Sequence, residues 1–348
     1  MITDQDIAER RLGIGSSDVF YILGAVDKYK TDRDLWAFKT GRSKDDPTVS
    51  FAATWGNLTE TAVAKIEIIP DAVSRGWLEE GAVDLVRGED GAAQPGPGLV
   101  EPETMVHPDH SWARANCDRL LLDADGVARE LYEIKVLGSY RAREFGESWS
   151  GVFPDAYRKQ IVWQMHIARS NGHAIDRGYL VAVLDNRGAT WNCIEYDEEE
   201  ALELFEFCYI WWMNFVLADE IPPHKGRRED VAAASRLYQE VQEETELEAD
   251  KELEELAAKY KALELEIEEL QDDLCGLLCD IKDRAGNFDR VYGAGFTIDN
   301  RFRKPRTSTS WKSVALAMSA TEEAIAANTK TSEGKRQFSI KFNSAEGG

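Results

Sequence analysis

Two short apolar segments joined by a tight turn constrain the fold more than any other part of the chain. Residues 115–122 and 128–137 contain leucine, isoleucine, valine and tyrosine in strand-like runs, and Asp123-Ala124-Asp125-Gly126 separates them. Turn residues of this kind between two apolar runs are a strong signal for a β-hairpin. We therefore predict two antiparallel strands, which bring Asp118 on the first strand back towards Glu133 on the second.

Glu133-Ile134-Lys135 places two charged side chains in an apolar strand. Alternate residues of a strand point to opposite faces, so Glu133 and Lys135 share one face and Ile134 enters the other layer. Charges in apolar surroundings need a partner or a metal ion. With Asp118 across the hairpin, this group can bind a hard divalent cation through oxygen. By itself, the Glu-x-Lys pattern also fits an ion pair on an edge strand.

Helices and strands alternate through the first 230 residues, which predicts an α/β (α+β) fold with a central mixed β-sheet flanked by helices. The helical segments are predicted at residues 35–41, 55–68, 154–170 and 198–220, the last ending before Pro222-Pro223. Further strands are predicted at residues 177–184 and 191–197. After Gly286 the sequence is richer in glycine and β-like, which predicts a small β tail.

A long acidic segment follows, in which apolar residues recur at alternating spacings of three and four. This heptad seam consists of Leu253, Leu256, Tyr260, Leu263, Ile267, Leu270, Leu274, Leu277 and Ile281. The pattern predicts one long amphipathic helix with a narrow apolar stripe. Another helix must cover the seam, either from a second chain or by folding back on the body of the protein.

Charge is distributed unevenly along the 348 residues. The net charge is −23 overall, made up of −16 in residues 1–230, −12 in residues 231–283 and +5 in residues 284–348. We predict these three ranges as a main domain, the acidic heptad helix and a small C-terminal extension. The acidic balance argues against a generic DNA-coating or membrane-surface protein, although an enzyme acting on nucleic acid needs only a local basic groove.

The sequence contains no apolar stretch long enough to cross a membrane, and its first residues do not resemble a signal peptide. We therefore expect a cytoplasmic protein without membrane partners. The five cysteines are scattered and form no Cys-x-x-Cys pair, which predicts reduced thiols.

Other candidate residues favour structural interpretations. We interpret His107-Pro108-Asp109-His110 as a turn rather than a metal site. Cys117 has no histidine in its motif that would activate a nucleophile. Cys275 and Cys279 are interpreted as helix-surface or packing residues, and Trp211-Trp212 as core. The basic cluster Arg301, Arg303, Lys304 and Arg306 is interpreted as a charged strand edge rather than a phosphate contact.

The order of motifs around the hairpin resembles that of a known family. The matching stretches are Gly13-Ile14-Gly15-Ser16-Ser17-Asp18, Ile22-Leu23-Gly24, Leu35-Trp36, Lys39-Thr40-Gly41, Trp55-Gly56-Asn57-Leu58 with Glu60, Ala115-Asn116-Cys117-Asp118-Arg119-Leu120, Glu133-Ile134-Lys135, Tyr157, Gln160 and Gln164-Met165. Together they resemble the YqaJ-like viral recombinases, which include the lambda-type exonucleases, within the PD-(D/E)XK nuclease superfamily. The resemblance covers about the first 220 residues.

The resemblance implies a restriction-endonuclease-like core and a metal-dependent DNA exonuclease. It implies that Asp118, Glu133, Glu60 and the carbonyl of Ile134 bind Mg²⁺ (Mn²⁺ is also possible). Lys135 would align or activate the attacking water, and Gln160 would lie beside the metal ions and the scissile phosphate. Binding of DNA would involve Arg11 (or Arg10) and Ser17 at the 5′ phosphate, with Tyr157 and Gln164 on the same face as Gln160. Cys117 and Arg119 replace the proline and glycine that usually flank this aspartate, which alters the turn and adds a cation.

The implied partners are double-stranded DNA ends, a single-strand annealing protein and further copies of the chain in a ring. The implied reaction is 5′→3′ resection that leaves 3′ single strands for recombination in the bacterial host cytoplasm. Two alternatives stay open: an endonuclease on the same core, and a non-catalytic recombination scaffold that acts through the heptad helix.

Overall fold

The computed structural model describes residues 4–24, 31–43, 51–82, 84–85, 98–184, 188–238 and 248–301, together with three later strands. The chain forms two compact units, residues Met1–Gln242 and Glu243–Gly348. Arg303 and Lys304 of the predicted basic cluster lie outside the described residues. The predicted division at residues 230 and 283 into functional domains stays a prediction.

The first unit contains eight α-helices among its described residues. They are α1 (Asp4–Arg11), α2 (Val19–Ile22), α3 (Asp32–Lys39), α4 (Phe51–Val63), α5 (Ile69–Ser74), α6 (Asp155–Ser170), α7 (Glu198–Trp211) and α8 (Arg228–Leu237). A π-helical turn joins α4 to α5, and a second one follows α7. Local chemistry sets several boundaries: the Thr31 hydroxyl accepts a hydrogen bond from Asp34 N–H at 3.3 Å and caps α3, and Gly41 with φ of 74° follows its end.

The strands of the first unit form one mixed sheet and one hairpin. They are β1 (Asp84–Leu85), β2 (Gly98–Val100), β3 (Met105–His107), β4 (His110–Ala115), β5 (Arg119–Leu122), β6 (Ala128–Leu137), β7 (Arg177–Leu184) and β8 (Ala189–Glu195). The six-stranded sheet has the order β1-β2-β5-β6-β7-β8, in which β6 pairs in parallel with β7 and antiparallel with β5. The predicted hairpin is therefore the β5–β6 pair at the centre of the sheet.

Strand β6 separates two apolar layers. On one face, Leu131 packs in the cluster that contains Ile161 and Met165 of α6. On the other face, Tyr132 and Ile134 pack with the residues that link α4 to α5. Glu133 and Lys135 therefore lie on the α6 side, and Ile134 enters the opposite layer as predicted.

The predicted fold class is confirmed: a central mixed sheet is flanked by helices, and the hairpin and the predicted helices and strands are all present. The segment from His107 to His110 is the turn of the β3–β4 hairpin, and Trp211 and Trp212 are buried. The acidic range 231–283 contains part of a second helix, because its first residues belong to α8. The side chain of Arg236 in α8 forms an ion pair with Asp34 of α3 at 2.8 Å.

The second unit consists of the long predicted helix and short strands. Helix α9 (Lys251–Ala285) starts after Asp250, whose carboxylate accepts a hydrogen bond from Leu253 N–H at 2.8 Å, and it ends at Gly286 with φ of 52°. The strands are β9 (Arg290–Gly293), β10 (Phe296–Asp299), β11 (Arg306–Thr309), β12 (Thr329–Ser332) and β13 (Ser339–Phe342). They form the sheets β13-β10-β9 and β11-β12. Cys275 and Cys279 are exposed on α9.

No helix in the described part of the chain combines the length and apolar character needed to cross a membrane.

Candidate active site

The β5–β6 hairpin brings the two predicted acids together. Asp118 directly precedes β5, and its Oδ2 accepts a hydrogen bond of 2.6 Å from the backbone N–H of Ile134. Since the register pairs Arg119 with Tyr132, Asp118 lies beside Glu133 on the same face of the sheet. The antiparallel pairing alone places both carboxylates at one end of the hairpin.

Glu133 is buried, with 2% of its surface exposed, and both of its carboxylate oxygens have partners. Oε1 contacts the Lys135 ammonium and accepts a hydrogen bond from Gln160 Nε2 at 2.6 Å. Oε2 accepts one from Gln164 Nε2 at 2.6 Å. Gln164 also donates to the carbonyl of Asn116 at 2.7 Å, so helix α6 is fastened to both strands of the hairpin. Its own Oε1 is buried without a hydrogen-bond partner.

Lys135 remains a cation in this environment. Burial alone lowers its pKa, but the carboxylates of Glu133 and Asp118 outweigh burial and raise it above the usual value. The ammonium also lies 5.6 Å from the centre of the Tyr157 ring. Lys135 is therefore suited to orient or neutralise an anionic group rather than to remove a proton.

Three carboxylates repel one another at the end of the hairpin. Burial and the negative charge of Glu133 raise the pKa of Asp118 well above its usual value. Burial also raises the pKa of Glu60, near the end of α4; Glu133 adds to this rise, and the guanidinium of Arg119 opposes it. A bound cation would relieve this repulsion.

A cleft of about 460 Å³ opens beside these acids. Its charged lining consists of six acids and two arginines: Glu9, Asp18, Glu60, Glu101, Asp118, Glu133, Arg10 and Arg114. Ser17 and Gln160 also line it. Such an excess of carboxylates disfavours a phosphate ligand unless additional cations bind in the cleft.

The predicted residues fall into three positions. Asp118, Glu133, Glu60, Gln160 and Ser17 line the cleft, whereas Lys135 and Gln164 contact Glu133 from beside it.

Tyr157 lies between two cations, because its ring faces Lys135 and its hydroxyl accepts a hydrogen bond from Arg141 at 3.1 Å. Arg11 is directed away from the cleft lining: its guanidinium donates to the carbonyl of Ser43 at 3.2 Å and lies 5.2 Å from the centre of the Phe38 ring. The neighbouring Arg10 lines the cleft.

The wall of the cleft depends on an ion pair that the sequence did not reveal. The Lys39 side chain is 1% exposed, and its Nζ donates to Asp18 Oδ2 at 2.6 Å and to the carbonyls of Gly13 and Arg10 at 2.5 Å each. The same Asp18 oxygen accepts a hydrogen bond from Gly15 N–H at 2.9 Å. Lys39 therefore fixes the segment that carries Ser17.

The same segment is joined to strand β4 by its backbone. Ile14 N–H donates to the carbonyl of Trp112 at 2.6 Å, and Arg114 N–H donates to the carbonyl of Ile14 at 2.9 Å. A side chain on Gly13 would meet the Trp112 carbonyl oxygen at 2.1 Å, so only glycine permits this approach.

Arg119, which the sequence marked as an unusual cation, is buried at 1% exposure. It donates to the carbonyl of Asp118 at 2.6 Å and to the hydroxyl of Thr61 at 3.2 Å. It thus connects the hairpin to α4, next to Glu60. The adjacent Cys117 is buried among carboxylates, and burial raises the pKa of its thiol, which disfavours a nucleophile.

The chemistry of the site fits a hard divalent cation better than its present geometry does. The available donors are carboxylate and carbonyl oxygens, which Mg²⁺ and Mn²⁺ prefer. Among the described residues, however, no three His, Cys, Asp or Glu side chains are already arranged to hold a metal ion. The predicted metal ligands therefore stay a prediction, and the exposed hairpin end is where they would act.

Comparisons with known proteins agree with the motifs. The model of the YqaJ-like viral recombinase domain matches residues 7–66 and 94–171. The uncharacterized protein YqaJ of Bacillus subtilis (strain 168) is 26% identical over 271 residues, which cover 78% of this chain and 74% of that protein.

Two solved structures are also similar. One is LHK-Exo in complex with dAMP, with 18% identity and a TM-score of 0.41; the other is the alkaline exonuclease LHK-Exo from Laribacter hongkongensis, with 17% identity and a TM-score of 0.40. Each match covers 62% of this chain and 94% of the other. The resemblance indicated by the motifs is confirmed by the family match, since the matched residues include every residue of the predicted site: the chain carries a YqaJ-like viral recombinase domain over residues 7–66 and 94–171.

Proposed function

We propose that this protein is a metal-dependent DNA exonuclease of the phage recombination type, which hydrolyses phosphodiester bonds at the ends of linear duplex DNA. The observation that carries the proposal is the convergence of Asp118, Glu133 and Lys135 at one end of the β5–β6 hairpin, beside an open cleft. The match to a viral recombinase domain supports the same reaction class.

Asp118, Glu133, Glu60 and the carbonyl of Ile134 would hold Mg²⁺ or Mn²⁺ in this proposal. Bound there, the divalent cation lowers the pKa of a water molecule and neutralises the phosphoryl oxygens. The mutual repulsion of Asp118, Glu133 and Glu60 supports cation binding, because it raises the pKa of Asp118 and of Glu60 in the free protein.

The protein's own side chains supply orientation and charge. The protonated Lys135 attracts the phosphate and donates a hydrogen bond to an attacking water. Gln160 and Gln164 hold the Glu133 carboxylate in one orientation from α6. Ser17, on the segment fixed by Lys39, offers a hydroxyl to the phosphate at the DNA end.

We extend the proposal to polarity and partners. Resection runs 5′→3′ and leaves 3′ single strands for an annealing protein, and several copies of the chain form a ring around the duplex. A ring would reconcile a net charge of −23 with DNA binding, because the acidic outer surface leaves the inner channel free to be basic.

The decisive experiment digests end-labelled linear duplex DNA with Mg²⁺ or with a chelator, using the wild-type protein, Glu133→Gln and the exposed turn variant Asp125→Asn. We expect nucleotide release by wild type and Asp125→Asn with Mg²⁺, and none by Glu133→Gln or with chelator. Activity of Glu133→Gln equal to that of the wild type would refute the catalytic assignment. Cutting of covalently closed circles at the same rate would instead indicate an endonuclease.

The cleft lining also makes a specific statement about the DNA end. Arg10 lines the cleft and Arg11 contacts Ser43 and Phe38, so Arg10 is the proposed 5′-phosphate contact. Arg10→Met should lower the preference for 5′-phosphate over 5′-hydroxyl ends, and Arg11→Met serves as the matched control. The reverse result would assign the contact to Arg11.

A further inference from the structure

The heptad seam of α9 is an apolar surface exposed along almost the whole helix. Its side chains from Leu253 to Leu277 are 47–65% exposed. The seam from Leu253 to Ile281 is about 42 Å long at the rise of an α-helix. Soluble proteins rarely leave a contiguous apolar surface of this size in water, so the seam indicates an interface.

A partner helix must match the seam in length and period. In the described part of the chain, the next longest helix is α6 with 16 residues, and its apolar side is already buried against the sheet. It would cover about 24 Å of the seam. Helix α9 of a second copy matches in both respects, because it carries the same repeat over the same length.

The residues at the two seam positions select a two-stranded, parallel arrangement. In heptad notation, position a holds Leu253, Tyr260, Ile267, Leu274 and Ile281, and position d holds Leu256, Leu263, Leu270 and Leu277. Leucine at every d position, with isoleucine recurring at a, favours parallel dimers over trimers.

The charges flanking the seam favour the same alignment. In a parallel pair, Lys259 at position g faces the partner's Glu264 at position e, and no like charges face each other across the other g–e pairs. In the antiparallel alignment that pairs the whole seam, Glu264 faces the partner's Glu264 and Glu266 faces the partner's Glu266. Charge complementarity therefore distinguishes the two orientations.

We propose that α9 is a dimerisation helix that forms a parallel, two-stranded coiled coil with α9 of a second copy of this chain. The contact involves residues outside the matched recombinase domain, so it joins copies independently of any ring formed by the first unit.

The mass of the full-length protein tests the contact through two substitutions of equal exposure. Ile267 in the seam and Leu265 on the opposite side of α9 are both 53% exposed. Sedimentation equilibrium should show that Ile267→Glu halves the mass of the assembly, whereas Leu265→Glu keeps the wild-type mass. A wild-type monomer of 39.1 kDa, or an unchanged mass for Ile267→Glu, would overturn the proposal.

Cross-linking tests the orientation without disrupting the seam. Under a mild oxidant, Tyr260→Cys should yield a covalent dimer of twice 39.1 kDa, because residues at position a face their own counterparts in a parallel pair. Ala258→Cys points outward and gives the background that includes Cys275 and Cys279. A cross-linking yield for Tyr260→Cys no greater than this background would overturn the parallel alignment, since an antiparallel pair places Tyr260 opposite the partner's Leu270.

Discussion

The carboxylate of Asp118 accepts a hydrogen bond of 2.6 Å from the backbone N–H of Ile134, across the end of the β5–β6 hairpin. This contact fixes the first acid relative to the strand that carries the second, before any ligand is bound. It also directs the Ile134 carbonyl away from Asp118, because N–H and C=O groups of one strand residue point in opposite directions. The hairpin register is thus the basis of the site.

Lys135→Met should abolish most of the nuclease activity while leaving the fold intact. Glu133 keeps its hydrogen bonds from Gln160 and Gln164, but the positive charge beside the attacking water is lost. We expect the single-turnover rate to fall about 100-fold or more, the usual range for a group that acts directly on a proton or its acceptor. Lys159→Met is the matched control on α6, because Lys159 pairs with Glu200 at 2.8 Å. Equal rates for the two variants would contradict the role of Lys135.

Gln164→Leu should destabilise the first unit. It removes the donor to Glu133 and to the Asn116 carbonyl, both in buried surroundings, and so leaves acceptors without partners. The free energy of unfolding should fall by about 1–3 kcal/mol, measured by denaturant titration. Met165→Leu, the next residue of α6, conserves apolar volume and should cost less than about 1.5 kcal/mol. If Gln164→Leu is no less stable than Met165→Leu, the bonds from α6 do not fasten the hairpin.

Gly13→Ala should disturb the wall of the cleft. The new methyl group would lie 2.1 Å from the Trp112 carbonyl oxygen, whereas at Gly15 the nearest atom is Asp18 Oδ2 at 3.5 Å. We expect a loss of about 1–3 kcal/mol in stability for Gly13→Ala and a smaller loss for Gly15→Ala, by thermal unfolding. A ranking in the opposite order would show that the segment does not approach β4 this closely.

Stability should fall as the solution becomes acidic, and His166 should account for part of the fall. Burial lowers the pKa of His166 from 6.5 to about 4, and the charges of His107 and Arg169 act in the same direction. Between these two pH values the unfolded chain takes up a proton that the folded chain does not, so stability decreases as the pH drops below about 6.5. After allowance for partial exposure, we expect a loss of about 1 kcal/mol from pH 7 to pH 5.

His166→Phe should remove this part of the pH dependence, measured as the difference between denaturation midpoints at the two pH values. The exposed His224 provides the control substitution, His224→Gln, which should leave the difference unchanged. A wild-type difference in His166→Phe would assign the acid sensitivity to other groups.

Local patterns were sufficient to predict the hairpin, helix α6 and the seam of α9. A turn sequence, an apolar period and a Glu-x-Lys pair are all properties of neighbouring residues, and antiparallel pairing then places Asp118 next to Glu133. The position of Gln160 and Gln164 also followed from their spacing on a helix.

Contacts between distant segments were not predictable in this way. Lys39 has the appearance of a surface lysine at the end of an amphipathic helix, yet its ammonium is buried against Asp18 and two carbonyls. Arg10 and Arg11 are adjacent on α1, and only the packing of Arg11 against Phe38 shows which of them reaches the cleft. Each of these outcomes depends on how α1 and α3 meet, about which one segment of sequence carries no information.

Because three donors already occupy the Glu133 carboxylate, a ligand that takes one of its oxygens must displace a neighbour on α6 or Lys135. Binding at the hairpin and the placement of α6 are therefore linked reciprocally: whatever loosens the helix eases the exchange, and whatever enters the hairpin end shifts the helix. Occupancy of this one carboxylate would be felt along the whole of α6, on the side of the molecule that faces away from the opening.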